Sequence, residues 1–138
     1  MNDTLAAWTP RALSVLRIVT GLLIIQHGMG KLLGFPALPA YANVQLMSLS
    51  GAAGIIELIG GALLILGLFT RPVAFVLSGE MAFAYFMGHM FKAGFGAPVF
   101  IPLLSGGNAA ILFCFACLYL AFAGGGVWSL DAMMRKRP

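Results

Sequence analysis

The sequence is poor in charged side chains. It contains 8 Lys and Arg and 4 Asp and Glu, so that charged residues make up 9% of its 138 residues. A soluble globular domain has about 25% charged residues. No polar stretch is long enough to form a separate soluble domain, and the basic residues are scattered rather than clustered as in a nucleic-acid-binding surface. The composition therefore excludes a soluble protein and argues against a nucleic-acid partner.

Cysteine is also scarce, and the two cysteines present, Cys114 and Cys117, form a CxxC pattern in an apolar segment. Such a pair is compatible with disulfide exchange with a quinone. However, Cys117, Ala121 and Gly125 follow one another at a spacing of four, which is typical of a ridge of small residues in helix packing. We favour the packing interpretation. No metal site is predicted, because the segment offers no further soft ligands.

Long apolar runs dominate what is present, since 61% of the residues are hydrophobic. A helix of about 20 residues crosses the roughly 30 Å hydrocarbon core of a bilayer. Four such spans are predicted, at about residues 10–33, 50–69, 72–91 and 106–123. The sequence therefore predicts an all-α integral membrane protein, a four-helix bundle that forms one domain over residues 1–138 and contacts the lipid bilayer.

The segments between the spans carry prolines and a few aromatic residues. Pro10 and Pro72 are predicted in the first turns of their helices, where a missing N–H is harmless. Residues 40–49 are expected to form a short interfacial helix. Residues 92–105 contain two prolines and are predicted to be a loop.

Positive charges are distributed unevenly between the two ends of the predicted bundle. Two lie on one side, Lys31 and Lys92. Six lie on the side of the termini: Arg11, Arg17, Arg71, Arg135, Lys136 and Arg137. Because Lys and Arg are enriched in cytoplasmic segments, both termini are predicted to be cytoplasmic, in a multi-pass protein of the bacterial inner membrane.

Several ionisable residues fall inside the predicted spans, where each costs about 2.5–3.5 kcal/mol at the membrane centre. Estimated depths place Glu57 level with His27 and Lys31 in the outer half of the bundle, with His89 and Asn108 as further candidates. These residues form the predicted ligand-binding or proton-relay site. The alternative is that they form ion pairs that only fix the helix register.

A second polar layer is predicted nearer the termini. Arg17 and Glu80 fall at similar estimated depths and are expected to form a structural ion pair. The two histidines, His27 and His89, lie on separate spans and both face the outer side, which is the minimum for a bis-histidine haem. Two histidines are common without haem, so haem is not expected.

Four stretches, together with Arg17, resemble the DoxX family of small four-span inner-membrane proteins. They are HGMGKLLGF at residues 27–35, GIIELIGGALLILGLFTRP at 54–72, EMAFAYFMGHM at 80–90 and GGGVWSLD at 124–131. The resemblance spans nearly the whole chain. The polar pattern of that family falls on Arg17, Gly28, Lys31, Glu57, Gly61, Arg71, His89, Gly126 and Asp131.

The resemblance implies a role beside a membrane oxidoreductase. The family takes its name from a small subunit of a thiosulfate:quinone oxidoreductase, and other members are linked to oxidoreductase complexes in oxidative-stress defence. The first hypothesis is therefore an accessory subunit that contacts quinone and partner subunits, rather than a stand-alone enzyme. The alternatives are a small-molecule transporter or binding protein, and a ligand-free scaffold for a soluble partner. Self-association into a homo-oligomer is compatible with the many small residues.

Overall fold

The computed structural model describes residues 3–91 and 98–136, and these residues form helices and turns without any β-strand. Two of the basic residues used to predict the orientation, Lys92 and Arg137, lie outside the described residues, as does the first part of the predicted loop at 92–105. The helices, in chain order, are α1 (Asp3–Leu33), α2 (Leu49–Leu66), α3 (Thr70–Phe83), α4 (Pro102–Ser105), α5 (Asn108–Ala123) and α6 (Leu130–Arg135).

The prediction of an all-α membrane protein is confirmed. Three helical segments are long and apolar enough to cross a membrane: Asp3–Leu33, Leu49–Leu66 and Thr70–Met90. The third consists of α3 and a π-helical continuation, Ala84–Met90. The apolar helix α5 has 16 residues, which corresponds to about 24 Å at about 1.5 Å per residue. The count of four spans therefore stays a prediction.

Two local predictions are wrong. Helix α1 begins at Asp3, so Pro10 lies inside it rather than in its first turn. Asp3 at the first turn favours this early start, because a carboxylate interacts well with the positive end of a helix dipole. The interfacial helix expected at residues 40–49 does not form either. The chain makes only a short 3-10 turn, Pro39–Tyr41, before α2 begins after Ser48, whose side chain accepts a hydrogen bond from the N–H of Gly51.

Helices α1 and α2 pack closely through two pairs of glycines. A Cβ on Gly28 would lie 2.8 Å from the carbonyl oxygen of Gly54, and a Cβ on Gly21 would lie 2.9 Å from that of Gly61. Both pairs are seven residues apart on their own helix, so they recur on one face. Their missing side chains let the two backbones approach, as in other tightly packed membrane helices.

The core lies where these two helices meet a second pair, α3 and α5. Its fully or nearly buried apolar residues come from all four helices: Ile24, Leu64, Ala74, Leu77, Met81, Cys117 and Leu120. Many other large apolar side chains, including Leu22, Phe75 and Phe122, point outward. An apolar exterior of this kind suits a protein whose solvent is lipid.

One end of the bundle, here called the terminal end, holds the beginning of α1, the α2–α3 turn and α6. Asp131 of α6 caps α3 there: its carboxylate accepts hydrogen bonds from the N–H groups of Phe69 (2.9 Å) and Thr70 (2.8 Å). Burial alone would raise the pKa of Asp131, but these hydrogen bonds outweigh it and lower that pKa. The opposite end, here called the loop end, holds the end of α1 and the beginnings of α2 and α5.

Candidate functional site

The most polar buried contact towards the loop end is an ion pair between α1 and α2. The Lys31 ammonium donates to both carboxylate oxygens of Glu57, at 2.8 Å each. Glu57 is 3% exposed and Lys31 is 13% exposed. Gly54 makes this approach possible, because its absent side chain leaves room for the stem of Lys31, with a Cβ there lying 3.1 Å from the Cβ of Lys31.

Two further side chains extend this pair into a cluster of four, Lys31, Glu57, His27 and Tyr41, which we call the Lys31 cluster. The Tyr41 hydroxyl lies 3.1 Å from Nδ1 of His27, within hydrogen-bonding distance. The Lys31 ammonium lies over the Tyr41 ring, 5.7 Å from its centroid. His27 also packs edge-on against Phe113 of α5, with ring centroids 6.2 Å apart. The cluster therefore joins three helices.

An open cleft of about 490 Å³ lies beside the Lys31 cluster at the loop end. Lys31 and Tyr41 contribute polar groups to it. The remaining walls are small or apolar residues of the end of α1 and the following segment: Gly30, Leu32, Gly34, Ala37, Leu38, Pro39, Ala42 and Val44. The cleft therefore combines two hydrogen-bonding side chains with an apolar surface, which is the usual composition of a small-molecule site.

The structure does not bring His89 or Asn108 into this cluster. His89 lies in the π-helical segment, where its Nδ1 is 3.2 Å from the carbonyl oxygen of Ser105. A Cβ on Gly107 would lie 2.5 Å from the neighbouring Tyr85 ring, so this segment packs against the start of α5. Asn108, the first residue of α5, is exposed. The roles predicted for these two residues stay predictions.

The predicted ion pair between Arg17 and Glu80 is wrong. Arg17 is fully buried at the terminal end, where its guanidinium donates to four backbone carbonyl groups. Two of them, Leu64 and Ile65, end α2, and the other two, Gly125 and Trp128, belong to the turn after α5. These partners lie beside the start of α3, whereas Glu80 lies ten residues further along it, about 15 Å deeper.

The two cysteines have packing neighbours in the structure. Cys117 is fully buried in the core, and the Sγ of Cys114 lies 3.5 Å from the Ser78 hydroxyl of α3. Both are free thiols.

A separate groove of about 340 Å³ runs between α2 and α3 and is lined by apolar residues with Gly60 and Pro72. It has no titratable side chain in its lining and lies apart from the cleft at the Lys31 cluster.

Tyr41 is the member of the cluster that the sequence pattern did not single out. It lies within residues 40–49, for which the sequence predicts only a short interfacial helix. Its position depends on the path of the connection after α1, where residues 34–38 turn the chain back so that Tyr41 packs on Gly30, with a Cβ there 2.9 Å from the ring. One signal in the sequence could have indicated its role: Tyr41 is a polar aromatic residue in a short, proline-containing connection that follows the span with Lys31.

Together, the apolar exterior and the spanning helices define the protein as an integral membrane protein. It belongs to the DoxX family, whose model matches residues 12–90. It is 43% identical to an uncharacterized protein of Haemophilus influenzae, over 99% of this chain and 100% of that protein. It is 25% identical to an uncharacterized membrane protein of Mycobacterium tuberculosis, over 93% of this chain and 84% of that protein. No solved structure matches the chain.

Proposed function

We propose that this protein binds the head group of a quinone in the cleft beside the Lys31 cluster, as an accessory subunit of an oxidoreductase system in the bacterial inner membrane. The observation that carries the proposal is the position of the Lys31 ammonium. Lys31 lines the cleft, and its ammonium is ion-paired with Glu57 and has one N–H left after donating to both carboxylate oxygens.

The electrostatics of the pair favour a neutral ligand. Lys31 and Glu57 carry opposite charges, so the pair has no net charge to attract an organic anion strongly. A quinone carbonyl is a neutral acceptor that the third N–H of Lys31 can reach, and hydrogen bonds to charged donors contribute about 1.5–3 kcal/mol. The Tyr41 hydroxyl would be the second polar contact, and the apolar walls would hold the ring.

The accessory role extends from the family resemblance. A quinone exchanges electrons with a redox partner, and in this proposal the electrons come from a partner subunit. The chain contributes the membrane anchor and the quinone site. In this proposal the chain holds and orients the quinone, and the partner subunit transfers the electrons. The bundle itself therefore needs no redox centre.

The test is photo-crosslinking in membrane vesicles with an azido-quinone analogue. We expect adducts on residues 30–44, competed away by an excess of unmodified quinone. Tyr41→Phe removes only one hydroxyl group and should reduce the adduct yield several-fold. Tyr119→Phe, at an exposed position on α5, is the matched control and should leave the yield unchanged. Adducts confined to the α2–α3 groove, or insensitive to competition, would contradict the proposal.

The second candidate is a small-molecule binding or transport function. It is favoured by the position of the cleft at the loop end, beside the Lys31 cluster. The groove between α2 and α3, in contrast, has no titratable side chain in its lining. A water-soluble ligand would approach from the aqueous side through the cleft. The same crosslinking experiment separates the two candidates, since small neutral water-soluble organic molecules would then compete with the analogue and excess quinone would not.

A further inference from the structure

Glu80 of α3 is partly buried and lacks the partner that the sequence predicted for it. Helices α2 and α3 are antiparallel neighbours, and Gly60 packs against Leu77, with a Cβ on Gly60 lying 3.0 Å from that side chain. Glu57 lies three residues before Gly60 on α2, and Glu80 lies three residues after Leu77 on α3. The two carboxylates are therefore at the same level, within electrostatic range of one another.

The surroundings of Glu80 do not compensate an ionised carboxylate. Its Oε2 is shielded from solvent and has no hydrogen-bond partner among residues 3–91 and 98–136. Both carboxylate oxygens that the Lys31 ammonium contacts belong to Glu57. Within the two described ranges of the chain, the other titratable groups in electrostatic range of Glu80 are Glu57 of α2, Lys31 of α1 and Cys117 of α5. An unpaired buried carboxylate is far more costly when ionised than when it holds a proton.

We propose that Glu80 is a proton-binding site that holds a proton at neutral pH, with its charge state set by the Lys31–Glu57 ion pair. The ionised groups Lys31, Glu57 and Glu80 would together carry one net negative charge. One proton on Glu80 makes the group neutral. The ligand is a proton, and the site is independent of any quinone in the cleft.

This arrangement gives Glu57 a specific influence on Glu80. While Glu57 is ionised, it holds the Lys31 ammonium and repels a second negative charge nearby. If Glu57 becomes neutral, Lys31 loses its counter-ion and Glu80 becomes the remaining carboxylate within electrostatic range. Neutralising Glu57 should therefore drive the proton off Glu80, which an isolated buried acid would not do.

The experiment combines infrared spectroscopy with carbodiimide labelling of the full chain in proteoliposomes. Dicyclohexylcarbodiimide reacts with protonated carboxyl groups in apolar surroundings, and the labelled peptide is identified by mass spectrometry. We expect an adduct on Glu80 at neutral pH and none on Asp131. The wild type should also show the carbonyl band of a protonated carboxyl group, and Glu80→Gln should lack it while remaining as thermally stable as the wild type.

The decisive variant is Glu57→Gln. We expect the infrared band of protonated Glu80 to fall about tenfold, because ionised Glu80 then becomes the counter-ion of Lys31. Lys31→Met with Glu57→Gln removes both charges of the pair and should restore the band. If the wild type has no protonated carboxyl band at neutral pH, or if the band persists unchanged in Glu57→Gln, the proposal is wrong.

Discussion

At the scale of single residues, Arg17 shows how a positive charge is accommodated inside the bundle without a direct ion pair among residues 3–91 and 98–136. Arg17 is 0% exposed. In the part of the chain that the structure describes, all the hydrogen-bond acceptors of its guanidinium are backbone carbonyl groups. The carbonyl groups at the end of a helix lack intrahelical partners and carry the negative end of the helix dipole. Arg17 therefore stabilises the end of α2 and at the same time holds the turn that follows α5.

This arrangement predicts a large loss of stability for Arg17→Met. The variant has no donors, so up to four carbonyl groups lose their partner, and each unsatisfied buried group costs about 1–3 kcal/mol. We expect the free energy of unfolding to fall by at least about 3 kcal/mol, measured by thermal unfolding in detergent. The control is Arg11→Met, because Arg11 is exposed on the same helix. Equal melting temperatures for the two variants would show that the carbonyl contacts of Arg17 contribute nothing.

Part of the polar interior could be predicted from the sequence, namely the contact between Lys31 and Glu57, whereas the contacts of Arg17 could not. The depths of Lys31 and Glu57 follow from helical rise, and these two residues are in contact in the structure. The acceptors of Arg17 are backbone groups, which no pattern of side chains reveals. The assignment of Glu80 to Arg17 failed because the depth of Arg17 was estimated from a span beginning at Pro10. Helix α1 begins at Asp3, and Arg17 lies level with the end of α2.

At the scale of helices, the glycine pairs determine how α1 and α2 fit together, and the ion pair depends on them. Gly28 faces Gly54, and Gly54 in turn leaves room for the stem of Lys31. Because the two backbones approach closely at this level, the Lys31 side chain is long enough to contact Glu57. Small residues in the sequence indicated helix contacts, but a helical period gives only the face that packs. It does not give the partner helix.

A comparison of two glycine variants tests this packing. In Gly28→Ala, the new Cβ would lie 2.8 Å from a backbone oxygen of α2 that cannot move aside, so α1 and α2 must separate. We expect a loss of about 1–3 kcal/mol in the free energy of unfolding. Gly79→Ala is the matched control on α3, because nothing lies within 4 Å of its added Cβ. It should be neutral or more stable by up to about 1 kcal/mol, since alanine favours helix.

Both variants would be followed by thermal unfolding in the same detergent. A Gly28→Ala protein as stable as Gly79→Ala would mean that the helices can separate freely, and that the glycine pairs do not determine the contact between α1 and α2.

At the scale of the whole molecule, the orientation in the membrane and the number of crossings depend on α5. With 16 residues it is shorter than each of the three segments that are long enough to cross a membrane. Its contact with α3 extends over much of its length and includes the hydrogen bond from the Ser78 hydroxyl to the Cys114 carbonyl, 2.9 Å long. A helix packed in this way beside spanning helices need not cover the full bilayer thickness by itself, because local thinning of the bilayer and snorkelling of flanking side chains compensate for a short span.

Reporter fusions test the predicted topology. With both termini in the cytoplasm and α5 crossing the membrane, alkaline phosphatase fused after Ser105 should be active, whereas a fusion after Arg135 should be inactive. Green fluorescent protein at the same two positions should give the reverse result. If both fusion sites report the same side, α5 does not cross. If the activities are exchanged, the orientation predicted from the basic residues is wrong.

The contacts of Arg17 and Asp131 also have a consequence for the order in which the chain matures during synthesis. The α2–α3 hairpin is complete at residue 90, yet its turn depends on groups that the ribosome adds much later. Gly125 and Trp128 supply two of the four acceptors of Arg17, and Asp131 caps α3. A nascent chain that has inserted α1, α2 and α3 still has an open turn at the terminal end. Residues 125–131, which are synthesised well after α3, are therefore the ones that close it.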